Sequence, residues 1–163
     1  MIPSDTTGMT LLEEVTLENG LQLFFYDESR QLAGDRWLVK LGCRVEYSLA
    51  AGLPGGQPEE GDPALRQEVT ERLGERLEYR VERVRNFVDQ QEKENVLEEL
   101  LIAFREHQLP YLAGPVFPGR LLADTWRRLR QECLLARQRR RVAEESTVED
   151  DDDGPSDFSA LFR

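Results

Sequence analysis

Trp37-Leu38-Val39-Lys40-Leu41-Gly42-Cys43-Arg44-Val45-Glu46-Tyr47-Ser48-Leu49 is the stretch that decides the fold. Trp37, Val39, Leu41, Cys43, Val45, Tyr47 and Leu49 fall on one face. Lys40, Arg44, Glu46 and Ser48 fall on the other, together with Leu38 and Gly42. A period of two sustained over thirteen residues predicts one long strand with a single buried face.

Upstream, Leu11, Val15 and Leu17 alternate with polar residues, then Glu18-Asn19-Gly20 leads into Leu21, Leu23 and Phe25. A two-residue Asn-Gly turn would set Glu18 opposite Leu21. A three-residue Glu-Asn-Gly loop with left-handed Gly20 pairs Leu17 with Leu21 and Val15 with Leu23. The second register keeps the apolar residues on one face, so it is the one expected. Residues 26–35 (YDESRQLAGD) read as a polar loop with turn chemistry.

Downstream, residues 50–62 (AAGLPGGQPEEGD) form a Gly- and Pro-rich loop. Asp62 and Pro63 supply an N-cap and a first helical residue, Leu65, Val69 and Leu73 an apolar stripe, and Gly74 the stop. Residues 76–88 carry both helical and strand spacings. Tyr79, Val81 and Phe87 favour a strand, bulged near Arg83. Asp89-Gln90-Gln91-Glu92 has the form of a capping box opening a helix to His107, with Val96, Leu97, Leu100, Leu101 and Phe104 inward. Leu109-Pro110 ends it. A last helix begins near Pro118 with the stripe Leu122, Trp126, Leu129, Cys133 and Ala136.

The order β-β-β-α-β-α-α predicts an α+β fold: an antiparallel sheet of about four strands with helices over the face bearing Trp37 and Leu41. The chain of 163 residues divides into a flexible N-terminus (1–10), one α+β domain (11–141) and a disordered acidic C-terminal tail (142–163). The boundary at Arg141 is a charge inversion. From Gly119 to Arg141, eight arginines face only Asp124 and Glu132. Beyond it, eight acids face only Arg163.

Several chemistries find no footing. Charged residues make up 33% of the chain and the net charge is −11, which disfavours non-specific binding of nucleic acid or anionic membrane by the whole molecule. Cys43 and Cys133 form no CxxC and fall on apolar faces, as reduced core residues do. One histidine, His107, has no recognisable nucleophile or orienting partner, and the expectation for it is a helix-terminal cation. A zinc site lacks ligands, and Asp150–Asp153 lacks the spacing of an EF-hand loop. No glycine-rich phosphate loop is present. No cofactor is expected. Neither a signal peptide nor an apolar run long enough for a membrane span is visible, so the expected compartment is cytoplasmic, with no membrane partner.

Three places remain. Arg127, Arg128, Arg130, Arg137, Arg139, Arg140 and Arg141 on the last helix could take up phosphates or carboxylates. Tyr111, Leu112, Val116 and Phe117 in the connector before it could form an exposed apolar patch. Asp27, Ser29, Arg30, Asp35 and Arg36 concentrate polar groups between two strands. Within that loop, Asp27-x-Ser29 resembles the start of the D-x-S-x-x-G loop of PilZ cyclic-dinucleotide receptors. Leu32 stands where that pattern has Gly, Gly34 comes two residues late, and no RxxxR precedes the hairpin, so the family is not assigned. The expectation is a non-catalytic interaction or regulatory module whose partner is another protein, with Tyr111, Phe117 and the arginines as the docking residues. The alternatives are nucleic acid or another polyanion on the basic helix, autoinhibited by the acidic tail, and a nucleotide at the 26–37 loop.

Overall fold

The computed structural model describes residues 8–56, 58 and 62–151. Its elements are β1 (Thr10–Thr16), β2 (Gln22–Asp27), β3 (Arg30–Ala33), β4 (Arg36–Ser48), α1 (Pro63–Leu73), β5 (Arg76–Asp89), α2 (Lys93–His107), α3 (Leu109–Leu112) and α4 (Phe117–Asp151). The fold is α+β with an antiparallel sheet, and β4 is its central strand. Val39, Leu41, Cys43 and Val45 are all at most 1% exposed, as the period of two predicts, but Gly42 and Glu46 of the opposite face are buried as well, so β4 does not have a single buried face.

The β1–β2 hairpin takes the three-residue loop. Val15 pairs with Leu23, the Leu17 amide donates to the Leu21 carbonyl at 2.8 Å, and Gly20 sits at φ 94. That φ is open to glycine and strained for most other residues.

The polar loop expected over residues 26–35 is instead mostly strand. β2 runs on to Asp27, and β3 follows on the same side of β4 in the same register: Phe25 faces Cys43, Asp27 faces Leu41 and Arg30 faces Leu38. At the interruption the Glu28 amide still donates to the Lys40 carbonyl (2.9 Å), while the Lys40 amide donates to Ser29 Oγ (3.1 Å). A hydroxyl thus stands in for a main-chain acceptor, and β2 and β3 act as one arm of a long hairpin. Its turn is Gly34-Asp35, with Gly34 at φ 56. Five strands therefore behave as four ribbons, in the order β1, β2 with β3, β4, β5.

β5 is a strand, as expected, but its bulge lies farther along. Trp37 pairs with Val88 and Val39 with Arg85, so Asn86 and Phe87 together oppose Leu38. Phe87 has φ 56 and is 73% exposed, and Val88 beside it is buried.

The helices cover the face that carries Val39 and Leu41. Phe25 meets Phe104 of α2 edge to face at 5.3 Å between ring centres. Leu65, Val69 and Leu73 of α1 are buried, as are Leu121, Leu122, Trp126 and Cys133 of α4, in one continuous core. Each such fully buried large apolar side chain contributes about 1.5–3 kcal/mol. Asp62 caps α1 through the Leu65 amide at 2.6 Å.

The expected capping box does not open α2. Asp89 ends β5, and its carboxylate accepts from the Gln91 amide at 3.0 Å, closing a turn. α2 then starts at Lys93 without a side-chain cap. At the other end α4 passes the expected stop at Arg141 and continues to Asp151. Arg139, Arg140, Arg141, Ala143, Glu144 and Glu145 are strong helix formers, and a change in the sign of charge does not break a helix. Residues 152–163 of the expected disordered tail, and residues 1–7 of the expected flexible N-terminus, lie outside the described residues.

Candidate functional site

Asn19 is where the site begins. The three-residue hairpin loop leaves its side chain free to bond elsewhere. Its Nδ2 donates to the carbonyls of Leu112 (2.6 Å) and Gly114 (2.8 Å), and its Oδ1 accepts from the Leu21 amide (3.2 Å). The turn of the first hairpin therefore holds the connector between α3 and α4 in place. Leu112 is buried, which anchors the same segment from below.

That anchoring sets three aromatic rings at the junction of β5 and α4. Phe117 lies with its ring centre 5.4 Å from that of Tyr111, edge to face, and 6.1 Å from that of Tyr79. Phe117 is buried and forms the floor. Tyr111 (52% exposed) and Tyr79 (45% exposed) form the walls. Together with Arg120, Arg128 and Asp124 they line a cavity of about 280 Å³. Arg120 Nη1 donates to the Tyr111 hydroxyl at 3.3 Å. Asp124 is turned toward Arg127 at 3.7 Å. Among the described residues, neither Arg120 nor Arg128 lies within ion-pair distance of a carboxylate. Val116, next in the connector before Phe117, is 61% exposed. The apolar patch expected at Tyr111, Leu112, Val116 and Phe117 is thus only half exposed. Leu112, at the end of the short α3 turn, and Phe117, at the start of α4, both belong to the core.

The candidate arginines are not one surface. Arg128 joins Tyr111 and Phe117 in the cleft. Arg137 reaches Asp62 and Glu68, both at 3.6 Å, and Arg140 reaches Glu68 at 3.8 Å, clamping α4 onto α1. Arg139 and Arg141 are exposed and Arg130 is partly buried. The run Arg137–Arg141 lies some 15–20 Å along the axis from Arg127 and Arg128. Successive positions of a 3.6-residue turn splay these side chains around the helix.

The 26–37 loop residues are taken up locally. Asp27 Oδ1 accepts from the Ser29 amide at 3.0 Å, Ser29 Oγ completes the β4 pairing, and Asp35 lies 3.8 Å from Arg36. Arg30 is exposed at the start of β3.

The larger polar construction is on the outer face of the sheet. The Glu28 side chain is 6% exposed, lies over Gly42, bonds Arg80 and approaches Lys40 at 3.6 Å. Lys40 and Arg80 also hold Glu82, at 3.2 and 3.0 Å. Glu46, 10% exposed at its side chain, takes Arg44 (3.1 Å) and Arg76 (3.4 Å). The Arg44 guanidinium covers the rings of Phe24 and Tyr26 at 4.9 and 5.6 Å. The alternation in β4 placed Lys40, Arg44 and Glu46 on this face. Glu28, Arg80 and Glu82 arrive only through pairing with neighbouring strands.

Reactive groups are muted. Burial pushes the Cys43 thiol up to about 12 and raises that of Cys133 as well, which disfavours the nucleophilic thiolate at both positions. Among the described residues no group of three or more His, Cys, Asp or Glu could hold a metal ion, and no helix is long and apolar enough to cross a membrane.

No protein family, curated protein or solved structure matches this chain.

Proposed function

We propose that the protein is a non-catalytic interaction module that docks another protein at the cleft of Tyr79, Tyr111, Phe117, Arg120 and Arg128. The observation that carries this is two guanidiniums with no ion pair among the described residues, standing beside aromatic rings in a cleft that Glu78 and Asp124 also line. Arginine forks recognise carboxylates, and half-exposed aromatic rings recognise apolar groups at little cost in side-chain entropy. A segment with an apolar side chain flanked by acids fits both features. Tyrosine and arginine are also the residue types that dominate binding energy at protein interfaces.

A peptide-display library selected on the full chain tests the reading. Acid-flanked apolar or aromatic residues should be enriched. Tyr111→Ala and Arg128→Ala should each weaken the selected peptides about tenfold or more, a loss of about 1.4 kcal/mol. Arg139→Ala, remote on α4, should leave binding unchanged. Equal binding to all three variants would refute the site.

A further inference from the structure

We infer that two copies of this chain join edge to edge through β5, in an antiparallel pairing centred on Tyr79. This goes beyond the reading above, because it rests on the main chain and charge order of a strand, although Tyr79 at its centre and Glu78 beside it also line the cleft.

β5 pairs with β4 on one side only, so its other edge carries the unpaired amides and carbonyls of a strand. Glu78, Tyr79, Arg80 and every residue from Glu82 to Phe87 are exposed. The strand is regular from Arg76 to Arg85, and the Asn86–Phe87 bulge ends the regular part.

The sequence of that regular part, Glu75-Arg76-Leu77-Glu78-Tyr79-Arg80-Val81-Glu82-Arg83, is antisymmetric in charge about its centre. A twofold axis through Tyr79 sets Glu78 opposite Arg80 of the second copy and Arg76 opposite its Glu82. It sets Glu75 opposite its Arg83 and Leu77 opposite its Val81. Every charge then meets its opposite and the apolar residues meet each other. Opposite charges placed directly across strands stabilise the pair, and like charges oppose it. Within one copy, Glu78 has only Arg76 at 4.0 Å, and neither Glu75 nor Arg83 has an ion-pair partner among the described residues. Because the axis runs through the sheet, the inner faces stay on one side, and the two four-ribbon sheets become one continuous sheet. Isologous closure of this kind satisfies both edges at once.

Sedimentation equilibrium of the full chain should show a dimer. Glu75→Arg and Arg83→Glu act on side chains without ion pairs in the single copy, so the fold should survive, as circular dichroism would confirm. Each variant sets like charges opposite each other twice and should weaken self-association about tenfold. Mixed in equal amounts, differently tagged Glu75→Arg and Arg83→Glu chains should pair with each other at close to the original affinity. In the oxidised protein Tyr79→Cys should cross-link to itself and Phe87→Cys should not. Main-chain separations across paired strands match disulfide geometry, and Cys43 and Cys133 are buried. A monomer at all accessible concentrations overturns the inference, as does a dimer indifferent to these reversals or one that the mixture fails to restore. None of these results decides the peptide test of the cleft, because Tyr111, Arg128 and Arg139 lie outside the paired strand, even though Tyr79 belongs to both surfaces.

Discussion

The Glu28 carboxylate lies directly over Gly42, where a methyl group would come within 2.7 Å of its Cδ. Only glycine leaves room for a nearly buried acid at that place, and Arg80 and Lys40 meet it there. Glu28→Gln removes the charge but keeps the shape. It should cost about 1–3 kcal/mol, read from urea unfolding, because hydrogen bonds from charged donors to a poorly hydrated acceptor are lost. A change of less than a few tenths of a kcal/mol would show that the grid is decorative. The same grid gives a pH dependence. Hydrogen bonds from Arg80 and then Lys40 hold the Glu82 carboxyl below the usual carboxylate range. A lowered value in the folded state means that the unfolded chain binds protons more readily. The stabilisation is therefore complete above the ordinary glutamate pKa of about 4.3 and disappears as pH falls through the lowered value. Glu82 is well exposed, so the contribution is small. Stability measured between pH 6 and pH 2 should fall less steeply in Arg80→Gln than in the parent chain.

Among the elements, the β1–β2 turn does more than reverse the chain. Its register is legible in the sequence, because only one loop length keeps Val15 and Leu17 on the side of Leu21 and Leu23. The second duty of Asn19, holding the Leu112 and Gly114 carbonyls, is not legible there, since the bonds span more than ninety residues. Asn19→Ala should destabilise the protein by about 1–3 kcal/mol through two unpaired carbonyls. It should also weaken peptide binding at the cleft, whereas Asn19→Asp cannot donate and should behave likewise. Retained affinity in both would separate the turn from the site. Where the sequence misled, local and tertiary signals competed. Asp89 has the right neighbours for a capping box, but pairing with Arg36 keeps it in β5, so its carboxylate closes a turn instead. Ser29 looked like a loop residue because of its side chain, and that side chain is what lets the hairpin arm continue. Phe87 matched the apolar spacing, yet it is exposed at the bulge and Val88 beside it is buried.

For the whole molecule, periodicity was enough to recover the α+β class, the helix-covered face of the sheet and the stripes of the helices, but not the buried acids of the outer face. It could not assemble the cleft. Tyr79 lies on β5, Tyr111 on α3, and Phe117, Arg120 and Arg128 on α4, and only packing brings them to one cleft. The charge inversion that dominates the C-terminal sequence proves less directive, because Arg137 and Arg140 are engaged by α1 and α4 runs on through the change of sign. The central claim is that a protein partner occupies the cleft, and the most direct measurement is an amide NMR titration of the full chain with an acid-flanked aromatic peptide selected on it. The account predicts shifts confined to Tyr79, the connector around Tyr111–Phe117, Arg120 and Arg128. Shifts centred on Arg137–Arg141, or on the hairpin from Asp27 to Arg36, would contradict it and move the function to the basic helix or to the loop.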